Sequence, residues 1–182
     1  IVKSVSQMKR CRRTDMRTFL ARRALRAFGR HYDYDVSYLE YLLKVSPRGF
    51  FGFRPVMALA RHREAAPRDA ACAAKLVGAM HEDCGPCLQI TTDMAREAGM
   101  TDDQIDAVLT GAEARMSGAT ALGYRFAAAL VGRTLELDAA REAVRAAHGD
   151  QAIVDLTFAT QIGRIFPMVK TGLGFGQACQ RI

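Results

Sequence analysis

The chain has 182 residues, 49% of them hydrophobic and 25% charged, with a mean hydropathy of −0.05 and a net charge of +7. That composition excludes a disordered or collagen-like polymer, and the length suits one globular domain with a short extension. The longest uncharged apolar run, Phe126 to Gly132, falls far short of the ~18 residues a membrane span needs. No membrane span or secretory leader is therefore expected.

Alanine accounts for 30 residues, tryptophan is absent and proline totals 5. Alanine is the best helix former, and β-branched runs with hairpin dipeptides are scarce, so the expected fold class is all-α, a multi-helix bundle.

Residues 1–32 carry Lys3, Lys9, Arg10, Arg12, Arg13, Arg17, Arg22, Arg23, Arg26 and Arg30 against Asp15 alone. The net +7 is therefore +9 from this arm and −2 from the remainder. A basic arm meets nucleic acid, anionic lipid or an acidic protein face, although a solvated helix face is the simpler reading. Aromatic residues do not interleave the basic ones in a stacking pattern and no recognition-helix signature follows, so nucleic acid is disfavoured as a partner. Met16, Leu20, Ala24 and Ala27/Phe28 mark one helical stripe, which predicts docking of the arm on something. An Arg-rich, acid-poor opening also fits a mitochondrial-type transit peptide. The boundary is expected at residue 48, giving a basic helical extension over 1–48 and a helical domain over 49–182.

After a break at Tyr32–Tyr34, a helix is predicted from about Val36 to Val45. Ser46-Pro47-Arg48-Gly49 should end it, leaving Phe50-Phe51-Gly52-Phe53 as an aromatic loop, a core plug or subunit contact rather than a ligand cage. Pro55 should open a brief helix to Arg61, and Pro67 a longer one carrying Cys72/Ala73, Leu76, Val77 and Met80 on a 3.6 period to His81-Glu82. The next helix begins at Cys84-Gly85-Pro86-Cys87 and stops at Gly99. Thr101-Asp102-Asp103-Gln104 reads as a capping box. Gly111 to Gly118 reads as a polar hinge, and Leu122, Phe126, Leu130 and Leu137 as one long amphipathic helix. Asp138 should cap a short helix closed by Gly149. Val154, Phe158, Ile162 and Ile165/Phe166 then define a nearly all-apolar helix that Pro167 kinks or ends, with a last segment reaching Cys179.

Five cysteines, at 11, 72, 84, 87 and 179, are an odd and irregular set that does not suit a secreted disulfide framework. A reducing, cytoplasmic setting is expected. Cys11, Cys72 and Cys179 read as small buried hydrophobes or inert thiols. Cys84 and Cys87 differ, because two intervening residues allow a disulfide ring and Pro86 at a helix start sets Cys87 in the first turn. The unpaired N–H groups and dipole there favour a thiolate. Glu82 and His81 stand within three residues to exchange protons with sulfur, while Asp83 opposes the thiolate. Dithiol redox chemistry is the favoured reading. A metal held by His81, Cys84, Cys87 and a fourth ligand such as His62 or Cys72, and a purely structural pair, stay open beside it. The tetrapeptide is also that of thioredoxin, but there it follows a strand, whereas Ala70 to Met80 read as helix.

From Pro67 to Gln180 the chain resembles the carboxymuconolactone decarboxylase/AhpD-like (alkylhydroperoxidase-like) family. The likeness is carried by HEDCGPCLQ, by Ala98-Gly99-Met100-Thr101-Asp102-Asp103-Gln104-Ile105, and by YRFAAALVGRT and GDQAIVDLTFATQIGRIFPM. The resemblance implies an all-α fold, a homo-oligomer (dimer, trimer or hexamer), and reduction of a small hydroperoxide or exchange of disulfides at the expense of an external dithiol. It implies Cys87 as the attacking thiol and Cys84 as the resolving one. No cofactor and no metal are expected. Ring-opening decarboxylation is the less favoured family activity. The family's relay positions are here Thr91, Pro86 and Cys72, so Glu82, assisted by His81, is expected to serve in their place. The competing reading is a non-catalytic helical oligomer with a redox-sensing Cys-x-x-Cys and an arm that binds partners or nucleic acid.

Overall fold

The computed structural model describes the backbone of residues 5–176 and the side chains of residues 16–176. Lys3, the side chains of Lys9 to Arg13 and Asp15, and the segment around Cys179 and Gln180 lie outside the described residues. The expected all-α class is what the structure has: the described residues form helices and turns, with no strand among them. Two compact units divide between Pro55 and Val56.

The first unit holds α1 (Val5–His31), α2 (Ser37–Val45) and α3 (Pro47–Phe53). Leu25 is buried and Phe28 half-buried on one side of α1, where Phe28 meets the ring of Tyr34 edge-on at 6.5 Å. Tyr34 in turn meets Tyr38 of α2 at 6.4 Å. The predicted aromatic loop is instead helix α3: the Ser46 hydroxyl accepts from the Gly49 N–H at 3.1 Å and Pro47 takes the first helical turn, where its missing N–H costs nothing. Phe50 is buried, and the Arg17 guanidinium lies over the Phe51 ring at 4.6 Å. The expected boundary at residue 48 falls inside this helix.

The second unit begins with the one-turn α4 (Val56–Leu59), followed by α5 (Arg68–His81), α6 (Gly85–Glu97) and α7 (Asp102–Thr110). A 3-10 turn (Glu113–Arg115) precedes α8 (Gly118–Gly132) and α9 (Leu137–Gly172). Helix α5 is the hub, packed against α8 and α9 along its length and against α6 and α7 at its edges. Its run of Ala70, Ala71, Cys72, Ala73, Ala74 and Ala79 is buried on every side, because small side chains let neighbouring backbones come close. A Cβ at Gly78 would overlap the Thr160 carbonyl, one at Gly163 the Lys75 carbonyl, and one at Gly123 the Ala70 carbonyl. These three glycines set the crossings of α5 with α9 and α8. Leu76, Val108, Phe126, Val144 and Leu156 supply the larger apolar volume around them.

Three local expectations are corrected. Thr101 makes no side-chain cap; Gln104 instead donates from Nε2 to the Arg115 carbonyl at 2.9 Å and accepts the Ser117 N–H on Oε1 at 2.6 Å, bracing the loop before α8. Helix α8 ends at Gly132, with Arg133 left-handed at φ 52°, so Leu137 opens α9 rather than closing α8. Of the two outcomes expected at Pro167, a kink or an end, the end does not occur: α9 continues through it to Gly172. The stop at Gly149 is real: at φ 77° and ψ 179° it takes a backbone region open essentially to glycine alone and breaks α9 in two. Among the described helices, α9 is long and apolar enough by length and composition to cross a membrane, with an 18-residue stretch of mean hydropathy 1.2. It is a weak candidate, since 44% of that stretch is buried against the unit's own helices.

Candidate active site

Helix α5 ends at His81, and a tight turn through Glu82 and Asp83 delivers the chain to α6. Asp83 takes φ 46°, a left-handed conformation that aspartate tolerates better than most residues. Cys84 is the extended N-cap residue of α6, Gly85 and Pro86 are its first helical residues and Cys87 follows. Pro86 is thus one place later than a first-position proline, still within the turn whose N–H groups lack partners. Cys84 and Cys87 are joined as a disulfide with their Cα atoms 5.2 Å apart. The Cys84 carbonyl accepts the Leu88 N–H at 2.8 Å, so the N-cap residue belongs to the helix's own hydrogen-bond ladder.

Both cysteines are buried, at 4% and 3% exposure, while their chain neighbours Asp83 and Pro86 are exposed. His81 is exposed on the last turn of α5. Glu82 is not poised alone: its Oε1 accepts from Arg164 Nε at 2.5 Å, a pair that is largely buried. Thr91 donates its hydroxyl to the Cys87 carbonyl at 2.7 Å, which spends that proton on the helix backbone.

Cys72 is a free thiol buried in α5, nine residues and hence about 13 Å of helix rise before His81. Burial pushes its thiol up, with Asp69 adding and Lys75 opposing, so it is a poor nucleophile. His62, considered as a fourth metal ligand, faces elsewhere: its Nε2 is 3.3 Å from Asp155 Oδ1 and 3.9 Å from Glu64 Oε1, and its ring meets Phe158 edge-on at 5.5 Å. Among the described residues no three His, Cys, Asp or Glu side chains converge as a metal site requires.

Two charged residues escaped the sequence reading. Asp155 is 1% exposed, and its Oδ2 accepts the N–H groups of Glu64, Ala65 and Ala66 at 2.8–2.9 Å. Burial works to raise this carboxyl, but the three N–H donors and His62 outweigh it and hold the group below the usual carboxylate range. Arg164 is the partner of Glu82. The available signal was chemical: both charges interrupt the apolar stretch of α9, and a charge in such a helix needs a partner. Set against protein-family models, curated proteins and solved structures, the chain matches none.

Proposed function

We propose that the protein is a thiol-dependent oxidoreductase that reduces small hydroperoxides, or exchanges disulfides, through Cys84 and Cys87. The observation that carries this reading is their pairing across the start of α6, two residues along the chain from Glu82, whose carboxylate is held by Arg164. In the reduced protein the Cys87 thiolate attacks the terminal oxygen of ROOH; the O–O bond breaks, sulfur is oxidised to sulfenic acid, and the alkoxide takes a proton to leave as ROH. The Cys84 thiol then displaces water from the sulfenic acid and forms the disulfide. An external dithiol returns both cysteines to thiols by two exchanges and is itself oxidised. The paired cysteines correspond to the state awaiting that reductant.

The assignment of Cys87 as attacker rests on the resemblance to the AhpD-like family, as does the homo-oligomer, and the reaction as written uses no cofactor. Glu82 is the proposed proton donor and acceptor, with Arg164 holding it and His81 on the adjoining exposed turn. The cytoplasm is the proposed location, because its reducing poise keeps a catalytic dithiol cycling.

A second reading is favoured by the burial of both sulfurs: a structural or redox-sensing staple between the ends of α5 and α6, in a protein without turnover. Steady-state consumption of tert-butyl hydroperoxide with excess dithiothreitol separates the two. Catalysis requires that Cys87→Ser abolish turnover and that Cys84→Ser leave a sulfenic acid open to dimedone. Consumption by Cys87→Ser at the wild-type rate would remove the enzymatic reading.

A further inference from the structure

Helix α1 has two unlike sides. Leu25 is buried, Phe28 meets the ring of Tyr34, and a Cβ at Gly29 would press on the Tyr34 carbonyl, so this is the packed side. On the 100° helical period, Met16, Phe19, Leu20, Arg23 and Ala27 fall together on the other side. There Met16 is 64%, Phe19 65% and Leu20 56% exposed, three large apolar side chains on consecutive turns. Arg22, Arg23 and Arg30 are exposed along the same stretch, and none has a carboxylate partner among the described residues. Arg17 and Arg26 are engaged within the unit, by Phe51 and Glu40.

We infer that this side of α1 is an interfacial anchor for an anionic lipid surface. The occupant must satisfy two demands at once: negative charge for an arm whose sequence sums to +9 over residues 1–32, and an apolar medium for Met16, Phe19 and Leu20. A bilayer with acidic headgroups meets both, because the helix lies in the headgroup layer with its apolar side chains at the acyl boundary and its arginines among phosphates. A nucleic-acid duplex offers phosphates but no medium for three large apolar side chains. The stripe expected to include Ala24 and Phe28 is thus resolved into an inner side holding Phe28 and an outer one centred on Phe19 and Leu20.

The test is co-sedimentation of the full chain with phosphatidylcholine vesicles and with vesicles containing 30% phosphatidylglycerol. Binding to the anionic vesicles alone is expected. It should weaken steeply with salt, and the double variant Phe19→Ser/Leu20→Ser, which keeps every charge, should lower it by about tenfold or more. Arg22→Gln/Arg23→Gln should lower it too. These side chains are exposed, so an unchanged thermal melt will show that the fold survives. No binding to anionic vesicles, or equal binding by the serine variant, would overturn the inference. Binding to duplex DNA that is stronger than to vesicles and indifferent to Phe19 and Leu20 would replace it with a simple polyanion arm.

Discussion

Arg164 Nε donates to Glu82 Oε1 at 2.5 Å, tying the middle of α9 to the turn that ends two residues before Cys84. A charge from 82 residues away thereby fixes the carboxylate proposed to move protons at the sulfurs. Arg164→Ala should cost about 1.5–3 kcal/mol of stability, the range for a hydrogen bond to a charged group. Glu82→Gln keeps an acceptor for Arg164 and should cost less stability, yet lower peroxide turnover by roughly 10²-fold or more if Glu82 carries the proton. Denaturant titration and turnover measured on the same two variants will separate support from chemistry; full activity in Glu82→Gln would dismiss Glu82 from the mechanism.

Asp155 gathers the loop over residues 64–66 through three backbone N–H groups. Its carboxyl is held below the 3.8 of an ordinary aspartate, so its contribution is complete above that pH and is lost as pH falls through the folded value. Acid unfolding of the wild type should steepen below about pH 4, and Asp155→Asn should flatten that limb. Asp155→Ala, which strands the N–H donors, should cost about 3 kcal/mol or more. Unfolding free energies between pH 3 and 7 will check both.

The contact of α5 with α9 depends on Gly78 and Gly163, where an added Cβ would run into backbone atoms that cannot rotate away. Gly78→Ala should therefore destabilise by about 3 kcal/mol or more despite the better helix propensity of alanine. Gly118→Ala is the control: nothing lies within 4 Å of its would-be Cβ. Thermal melts of the two variants should differ sharply.

Gln104 braces the turn before α8 with both ends of its amide. Gln104→Ala should cost about 1–2 kcal/mol, whereas Thr101→Ala should cost little, because the Thr101 side chain caps nothing. A capping box would require the reverse ranking in a chemical-denaturation series.

The helical class and most breaks were legible because they depend on local chemistry. The alanine run of α5, Gly99 after α6 and Gly149 within α9 act through their own backbone preferences. Local pattern failed where a side chain works at a distance. Gln104 matches a capping box in sequence but spends its amide on Arg115 and Ser117. Phe50 to Phe53 read as a loop, since Ser46-Pro47, which caps and opens α3, has the same local pattern as a helix stop. The neighbours Cys84 and Cys87 were visible as a pair from their spacing alone. Arg164 and Asp155 were not, because their partners lie 82 and 89–91 residues away and only the fold brings them together.

The most direct test is mass spectrometry of the fully reduced protein before and after one equivalent of tert-butyl hydroperoxide. The account predicts loss of two hydrogens confined to the peptide holding Cys84 and Cys87, one equivalent of tert-butanol, and an unaltered Cys72. Thiols that stay reduced while the peroxide persists, or oxidation that falls on Cys72 instead, would contradict it.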